Sequence, residues 1–179
     1  MKLGCVIMAS GEGKRFGSNK MLADIYGEPL IQRTIESVPK GFDVVVTTRW
    51  PQVAEICREL RCVCALHDGA LRSESVRAGL ACGAERNWKG CLFLPGDQPL
   101  VSSDSFEAMV RAFDECGRKH PVRLACNGEP FRRNCSMRLC VLRARTAGAR
   151  FSKAASTLRW SKRAPMSCGM SIPPRGSDA

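Results

Sequence analysis

The sequence predicts an α/β protein built on a parallel sheet, and three observations lead there. Leu3 to Met8, Asp43 to Thr48 and Gly90 to Leu94 are short, largely apolar runs, the composition of strands buried on both faces. Segments with apolar residues at helical spacing stand between them, so strand and helix alternate along the chain. The first run ends in Ala9-Ser10-Gly11-Glu12-Gly13, where two glycines allow positive φ and let the backbone approach a ligand without a Cβ in the way.

The 179 residues suffice for one domain with a sizeable core, and 44% apolar content is ordinary for a globular protein. No apolar segment is long enough to span a bilayer, and the run after Lys2 is too short for a signal peptide. The expected location is therefore cytoplasmic, with no membrane partner. The 11 cysteines are expected to be reduced thiols, because a chain of this size needs no disulfide scaffold and several of them lie in apolar strands. Cys62 and Cys64 form a close pair, but no second pair at zinc-site spacing completes a structural metal site. The net charge of +11 is localised. Of 28 basic residues, 11 follow Pro130, where Asp178 is the single acid, so residues 1–130 are close to neutral. Such a tail makes a different claim from a basic folded face and argues against a nucleic-acid partner. The rival reading from another class is a non-enzymatic nucleic-acid binder acting through that tail, with Arg132, Arg133, Arg143 and Arg145 as contacts.

Taken in order, Leu3 to Met8 opens the fold as a strand. The glycine turn follows, with Lys14, Arg15 and Lys20 close by. Arg grips phosphate oxygens bidentately and Lys acts as a point charge, so this loop is built for anions. It is not a P-loop, since Gly11 and Gly17 are separated by five residues and Ser18 follows directly. It is not a dinucleotide fingerprint either, because Gly11, Gly13 and Gly17 give G-x-G-x-x-x-G and the second strand ends Thr47-Thr48-Arg49 without a ribose-binding acid. Met21 to Tyr26 is expected to be irregular. Gly27-Glu28-Pro29-Leu30 turns into a helix carrying Leu30, Ile31, Ile35 and Val38 at helical spacing. Asp43 to Thr48 is the second strand, Gln52 to Leu60 a helix with Val53, Ile56, Cys57 and Leu60 on one face, and Cys62 to Leu66 the third strand. Ser73, before Val76 and Arg77, predicts an N-cap of a helix whose free amides can hold an anion or the polar edge of a base. Gly90 to Leu94 then delivers Gly96-Asp97 to the carboxyl edge of the sheet, where open α/β folds bind ligands. Ser105 to Cys116 reads as a helix with Phe106, Met109, Val110 and Phe113 inward, and Val122 to Cys126 as another strand.

Met8, Ala9, Gly11, Gly13, Arg15, Phe16, Gly17 and Lys20 resemble the opening motif L-A-A-G-x-[SG]-x-R-[FM]-G-x-x-K of the nucleotidyltransferases related to the molybdenum cofactor cytidylyl- and guanylyltransferases. Ser10 stands where that family usually has a second Ala. Gly27, Pro29 and Leu30 fit its G-x-P-L, and Gly69, Ser73, Ser75, Val76, Gly79 and Leu80 fit its G-x-x-x-S-x-S-[LIV]-x-x-G-[LI]. Gly96-Asp97-Gln98-Pro99-Leu100-Val101 is similar to the string in its cytidylyl branch that carries the Mg²⁺-binding Asp. The resemblance implies a Rossmann-like three-layer αβα nucleotidyltransferase fold, incomplete at the C-terminus. It implies nucleotide binding by Ala9, Ser10, Gly11, Gly13, Lys14, Arg15, Lys20, Ser73, Ser75 and Gly79. Catalysis falls to Arg15, Lys20 and Asp97, with Asp97 as the ligand of Mg²⁺. The implied reaction moves CMP from CTP to molybdopterin and releases pyrophosphate, with a molybdoenzyme as eventual acceptor of the cofactor. The alternatives within the class are GTP with molybdopterin, or another NTP with a sugar phosphate.

Beyond Pro130 the chain loses almost all its acids. Codon degeneracy allows the neighbouring frame to be read in part. Where the protein has Gly169-Met170-Ser171-Ile172-Pro173-Pro174, the frame beginning at each codon's third base permits Asp-Val-Asp-Thr-Pro, close to the family's ending. At Arg145-Thr146-Ala147-Gly148 it permits Asp-x-Gly, where the family has its second catalytic Asp. The resemblance thus covers residues 1–130 as the nucleotidyltransferase domain. Residues 131–179 are expected to be a poorly ordered basic tail, out of frame from about Phe131.

Overall fold

The computed structural model describes residues 1–13, 17–115, 117–118, 122–123 and 138–141. In chain order it contains β1 (Leu3–Met8), β2 (Asp24–Ile25), β3 (Glu28–Pro29), α1 (Leu30–Glu36), β4 (Asp43–Thr48), α2 (Pro51–Glu59) and β5 (Val63–Leu66). There follow α3 (Arg72–Glu85), β6 (Gly90–Pro95), α4 (Ser103–Glu115), β7 (Val122–Arg123) and β8 (Arg138–Val141). Strands β5, β4, β1 and β6 pair in parallel, Val6 standing between Val45 and Phe93, and the full order is β5-β4-β1-β6-β8-β7.

Successive strand residues face opposite sides, and that alternation builds the three layers. Cys5 and Ile7 of β1, Val46 of β4, and Leu92 and Leu94 of β6 meet Ile31 of α1, Val53 and Cys57 of α2, and Phe106, Met109 and Phe113 of α4. Val6, Val45, Cys91 and Phe93 face the other way, onto Val76 and Leu80 of α3 and onto Trp88. The α4 residues recur at helical spacing and are fully or almost fully buried, which stabilises the fold by about 1.5–3 kcal/mol per side chain. Gly79 lets α3 lie close to the sheet, because a Cβ there would stand 2.6 Å from Val6 Cγ1.

Three sequence expectations are corrected. Met21 to Tyr26 is ordered: Lys20–Leu22 forms a 3-10 turn and β2 pairs with β3 as a hairpin. Tyr26 and Gly27 both take positive φ, and Asp24 Oδ1 accepts from Gly27 N–H at 3.0 Å, so the side chain of Asp24 supplies the turn signal. The helix after β5 starts at Arg72 with Leu71 at its cap position. Glu74 Oε2 accepts from Leu71 N–H at 2.8 Å, which leaves Ser73 inside the first turn rather than capping it. Finally, Arg138–Val141 lies in the stretch expected to be a poorly ordered tail, yet it forms a strand antiparallel to β6, with Leu139 opposite Leu92. The expected strand from Val122 is observed as Val122–Arg123, and its remainder lies outside the described residues.

At the amino end of the sheet Asp43 accepts from Arg86 Nε (2.8 Å) and Nη2 (2.6 Å) and from Trp88 Nε1 (2.8 Å), with Lys2 Nζ at 3.4 Å. Hydrogen bonding from Arg86 leads the shift that holds the carboxyl at about 2, below its ordinary 3.8. A lowered folded pKa contributes stability above the unfolded value and loses it as pH falls through the folded one. Asp43→Asn is therefore expected to cost about 2 kcal/mol at pH 7. Wild type and mutant should converge between pH 4 and pH 2 in urea melts. A difference that stays constant over that range would show that the charge is not what the network uses.

Candidate active site

The strand order places β4 on one side of β1 and β6 on the other, so the segments leaving β1 and β6 emerge together at the carboxyl edge. Such a switch point opens a crevice in an α/β sheet. The two exits are tied: Gly96 N–H donates to Met8 O (2.9 Å), and the buried Thr34 hydroxyl donates to Gly96 O (2.8 Å). Across this edge Lys20 Nζ lies 3.0 Å from Asp97 Oδ2, with side-chain exposures of 43% and 35%. An ion pair that open to water is worth only about 0–1 kcal/mol, so both groups remain available to a ligand. Lys20 begins the 3-10 turn, which Asn19 Oδ1 caps by accepting from Met21 N–H (3.1 Å) and which the buried Met21 anchors. Asn19 Nδ2 is buried with no partner among the described residues.

The loop residues divide into scaffold and contact. Ala9 is fully buried; its N–H donates to Thr47 O (2.8 Å) and its carbonyl accepts from Thr48 Oγ1 (3.1 Å), so both of its peptide groups are engaged by β4. Gly11 O accepts from Trp50 Nε1 (3.2 Å), while Arg49 pairs with Glu12 (3.3 Å) and lies over the Trp50 ring. Gly13 takes φ +60, and a Cβ there would strike Ser18 O, so glycine is required for the turn. Lys14 and Arg15 lie outside the described residues.

Ser75 of α3 is 2% exposed and donates to Ser10 Oγ at 2.8 Å, and His67 Nε2 lies 2.8 Å from Ser10 Oγ and 3.0 Å from Ser75 Oγ. The structure thus joins the glycine loop, the segment after β5 and the first turns of α3. Ser73 sits half-buried in that helix start. Gly79 is buried against Val6 and Thr47, a packing position under the helix.

Asp97 is the one carboxylate of the predicted set at this edge, and among the described residues no cluster of three or more His, Cys, Asp or Glu side chains could hold a metal. One carboxylate suits a cation such as Mg²⁺ that keeps waters and takes further oxygens from a nucleotide's phosphates, and does not suit an all-protein cage. Among the described residues, no helix is long and apolar enough to cross a membrane.

The fold and the edge together define a three-layer α/β protein with a glycine turn and Lys20 opposite the carboxylate of Asp97. Residues 5–159 match the MobA-like NTP transferase domain, and the chain belongs to that family. The match extends past Pro130 and includes β8. The chain is 28% identical over 126 residues to the 2-C-methyl-D-erythritol 4-phosphate cytidylyltransferase of Dehalococcoides mccartyi (strain CBDB1), covering 65% of this chain and 55% of that protein. It is 34% identical over 118 residues to the 3-deoxy-manno-octulosonate cytidylyltransferase of Chlorobium phaeobacteroides (strain BS1), covering 63% of this chain and 46% of that one. The chain thus spans about half the length of these relatives. Its fold is similar to a cytidylyltransferase from Leptospira borgpetersenii serovar Hardjo-bovis (strain JB197), with TM-score 0.64 at 21% identity, covering 79% of this chain and 60% of that one.

Sequence reasoning missed Thr34, Arg49, Trp50 and His67, which brace the edge without belonging to any spaced motif. His67 alone carried a signal, as one of two histidines in the chain and the first residue beyond a strand's carboxyl end.

Proposed function

We propose that this chain transfers a CMP moiety from CTP to the phosphate of molybdopterin, releasing pyrophosphate, in the cytoplasm. The observation that carries the reading is the Lys20–Asp97 pair at the switch point, 3.0 Å apart beside the glycine loop. Lys20 and Arg15 meet the triphosphate and stabilise the pyrophosphate as it leaves, while the loop fixes the α-phosphate for in-line attack by the acceptor. Asp97 would hold Mg²⁺, which would neutralise phosphate charge. Ser10 and Ser73 are assigned to the nucleoside end, and the buried Ser75 supports Ser10 from behind. Cytidylyl transfer is supported by the Gly96-Asp97-Gln98-Pro99-Leu100-Val101 string and by the names of the two relatives. Those names, which concern a polyol phosphate and a sugar acid, support a second acceptor class of small sugar-like molecules.

Calorimetric titration with CTP and Mg²⁺ tests the loop. Arg15→Ala and Lys20→Ala should each weaken binding by about 1.5–3 kcal/mol, the worth of a charge-assisted hydrogen bond. Equal affinity in wild type and both variants would remove the assignment.

We also infer that residues 131–179 are read out of frame, by a natural or sequencing-introduced shift near Phe131. The support is compositional: the loss of acids after Pro130 and the family-like strings permitted in the neighbouring frame. On this reading residues 1–130 carry the nucleotide half of the domain, and the family's second metal-binding Asp is missing.

A further inference from the structure

We propose that His67 is a positioning residue that fixes the hydroxyl polarity of Ser10 and Ser75, so that the pair favours a nucleobase edge bearing an amino group over one bearing a carbonyl. The proposal rests on the nucleotide-binding reading above.

Nε2 of His67, Oγ of Ser10 and Oγ of Ser75 form a triangle with sides of 2.8, 3.0 and 2.8 Å. His67 Nδ1 is buried and has no partner among the described residues. A neutral imidazole carries its proton on one nitrogen only. On Nδ1 that proton would be stranded, at the cost of an unmade buried hydrogen bond. On Nε2 it meets a hydroxyl oxygen. With the proton there, every hydrogen of the cluster finds an acceptor: Nε2–H donates to Ser75 Oγ, Ser75 donates to Ser10 Oγ (2.8 Å), and Ser10 donates to Thr47 O (3.4 Å). Nε2–H can also reach the nearer Ser10 Oγ (2.8 Å), and its donation to Ser75 is the arrangement that leaves a Ser10 lone pair open to a ligand.

Ser75 is almost fully buried, whereas Ser10 is partly open at the carboxyl edge, so Ser10 is the member that meets a ligand. With its proton turned toward Thr47, Ser10 presents a lone pair. An exocyclic amine donates to it directly, as at C4 of cytosine. The carbonyl at C4 of uracil must instead turn the Ser10 proton away from Thr47 O. Without the donor at Nε2, the Ser75 proton is free to turn, and the pair accepts or donates as the ligand requires.

The test is calorimetric titration of the full chain with CTP and with UTP, both with Mg²⁺, for wild type, His67→Leu, His67→Gln and Ser10→Ala. Gln places an N–H donor near the position of Nε2. Wild type should prefer CTP by up to about tenfold, the upper worth of one hydrogen bond. The preference should fall to about twofold or less in His67→Leu and Ser10→Ala and should persist in His67→Gln. A purely structural role of His67 would weaken both nucleotides together and leave their ratio intact, which overturns the proposal. So do equal affinities in wild type, and so does a His67→Gln variant that discriminates no better than His67→Leu. If His67→Leu does not fold, Ser10→Ala and His67→Gln still decide by the same ratio. Wild type that binds neither nucleotide removes the functional reading itself, and this proposal with it.

Discussion

Asp97→Asn is expected to reduce nucleotidyl transfer at least about a hundredfold, the usual cost of removing a group that stabilises transition-state charge. The exchange keeps the side chain's size and turn-forming capacity and removes only the charge. Its structural cost should be small, because the partner that Asp97 holds, Lys20, is 43% exposed and a surface pair is worth about 0–1 kcal/mol. The fold at this point is secured elsewhere, by the Gly96 N–H on Met8 O and by Thr34 on Gly96 O. Pyrophosphate release from CTP in the presence of Mg²⁺, measured beside a thermal melt, separates the two roles. A mutant that melts early while its folded fraction still turns over would make Asp97 a structural residue.

On the proposed frameshift reading, restoring the neighbouring frame after Pro130 is expected to raise cytidylyl transfer by about a hundredfold or more, since it would return a second carboxylate to the reacting phosphates. With Asp97 alone, a cation held there would depend on the nucleotide and water for its remaining oxygens, which would suffice for binding but align the attack poorly. The strand β8 and the family match to residue 159 both belong to the frame as written, and the match speaks against the shift. Arg138–Val141 pairs with Gly90–Phe93 through main-chain groups, which are the same in either frame, whereas a catalytic Asp is a matter of side-chain identity. The DNA across the codons for Asn127 to Arg138 gives the first check, and turnover of the original and repaired chains the second. Equal rates, or a neighbouring frame that does not continue the family pattern, would end the frameshift reading.

What the sequence determined by itself was local. Asp43–Thr48 was placed to the residue, and the helices of α2 and α4 to within two, because burial on both faces or along one stripe writes a period of two or 3.6 directly into the chain. The turn at Gly13, the place of Lys20 after it and the Gly-Asp after β6 were legible for a related reason: each belongs to a short contiguous pattern. The hairpin at Asp24–Pro29 escaped, since its strands are two residues each and its turn is set by Asp24 reaching Gly27. The tertiary structure alone decided which distant groups meet. Lys20 and Asp97 stand 77 positions apart, and Ser10 and Ser75 65 apart. They come together because parallel pairing sets β1 between β4 and β6 and brings all three carboxyl ends to one edge. His67 has no periodic partner and no motif. Its position follows from the register of β5 on β4 and the entry of α3, and side-chain hydrogen bonds of that kind leave no repeat for a sequence to display.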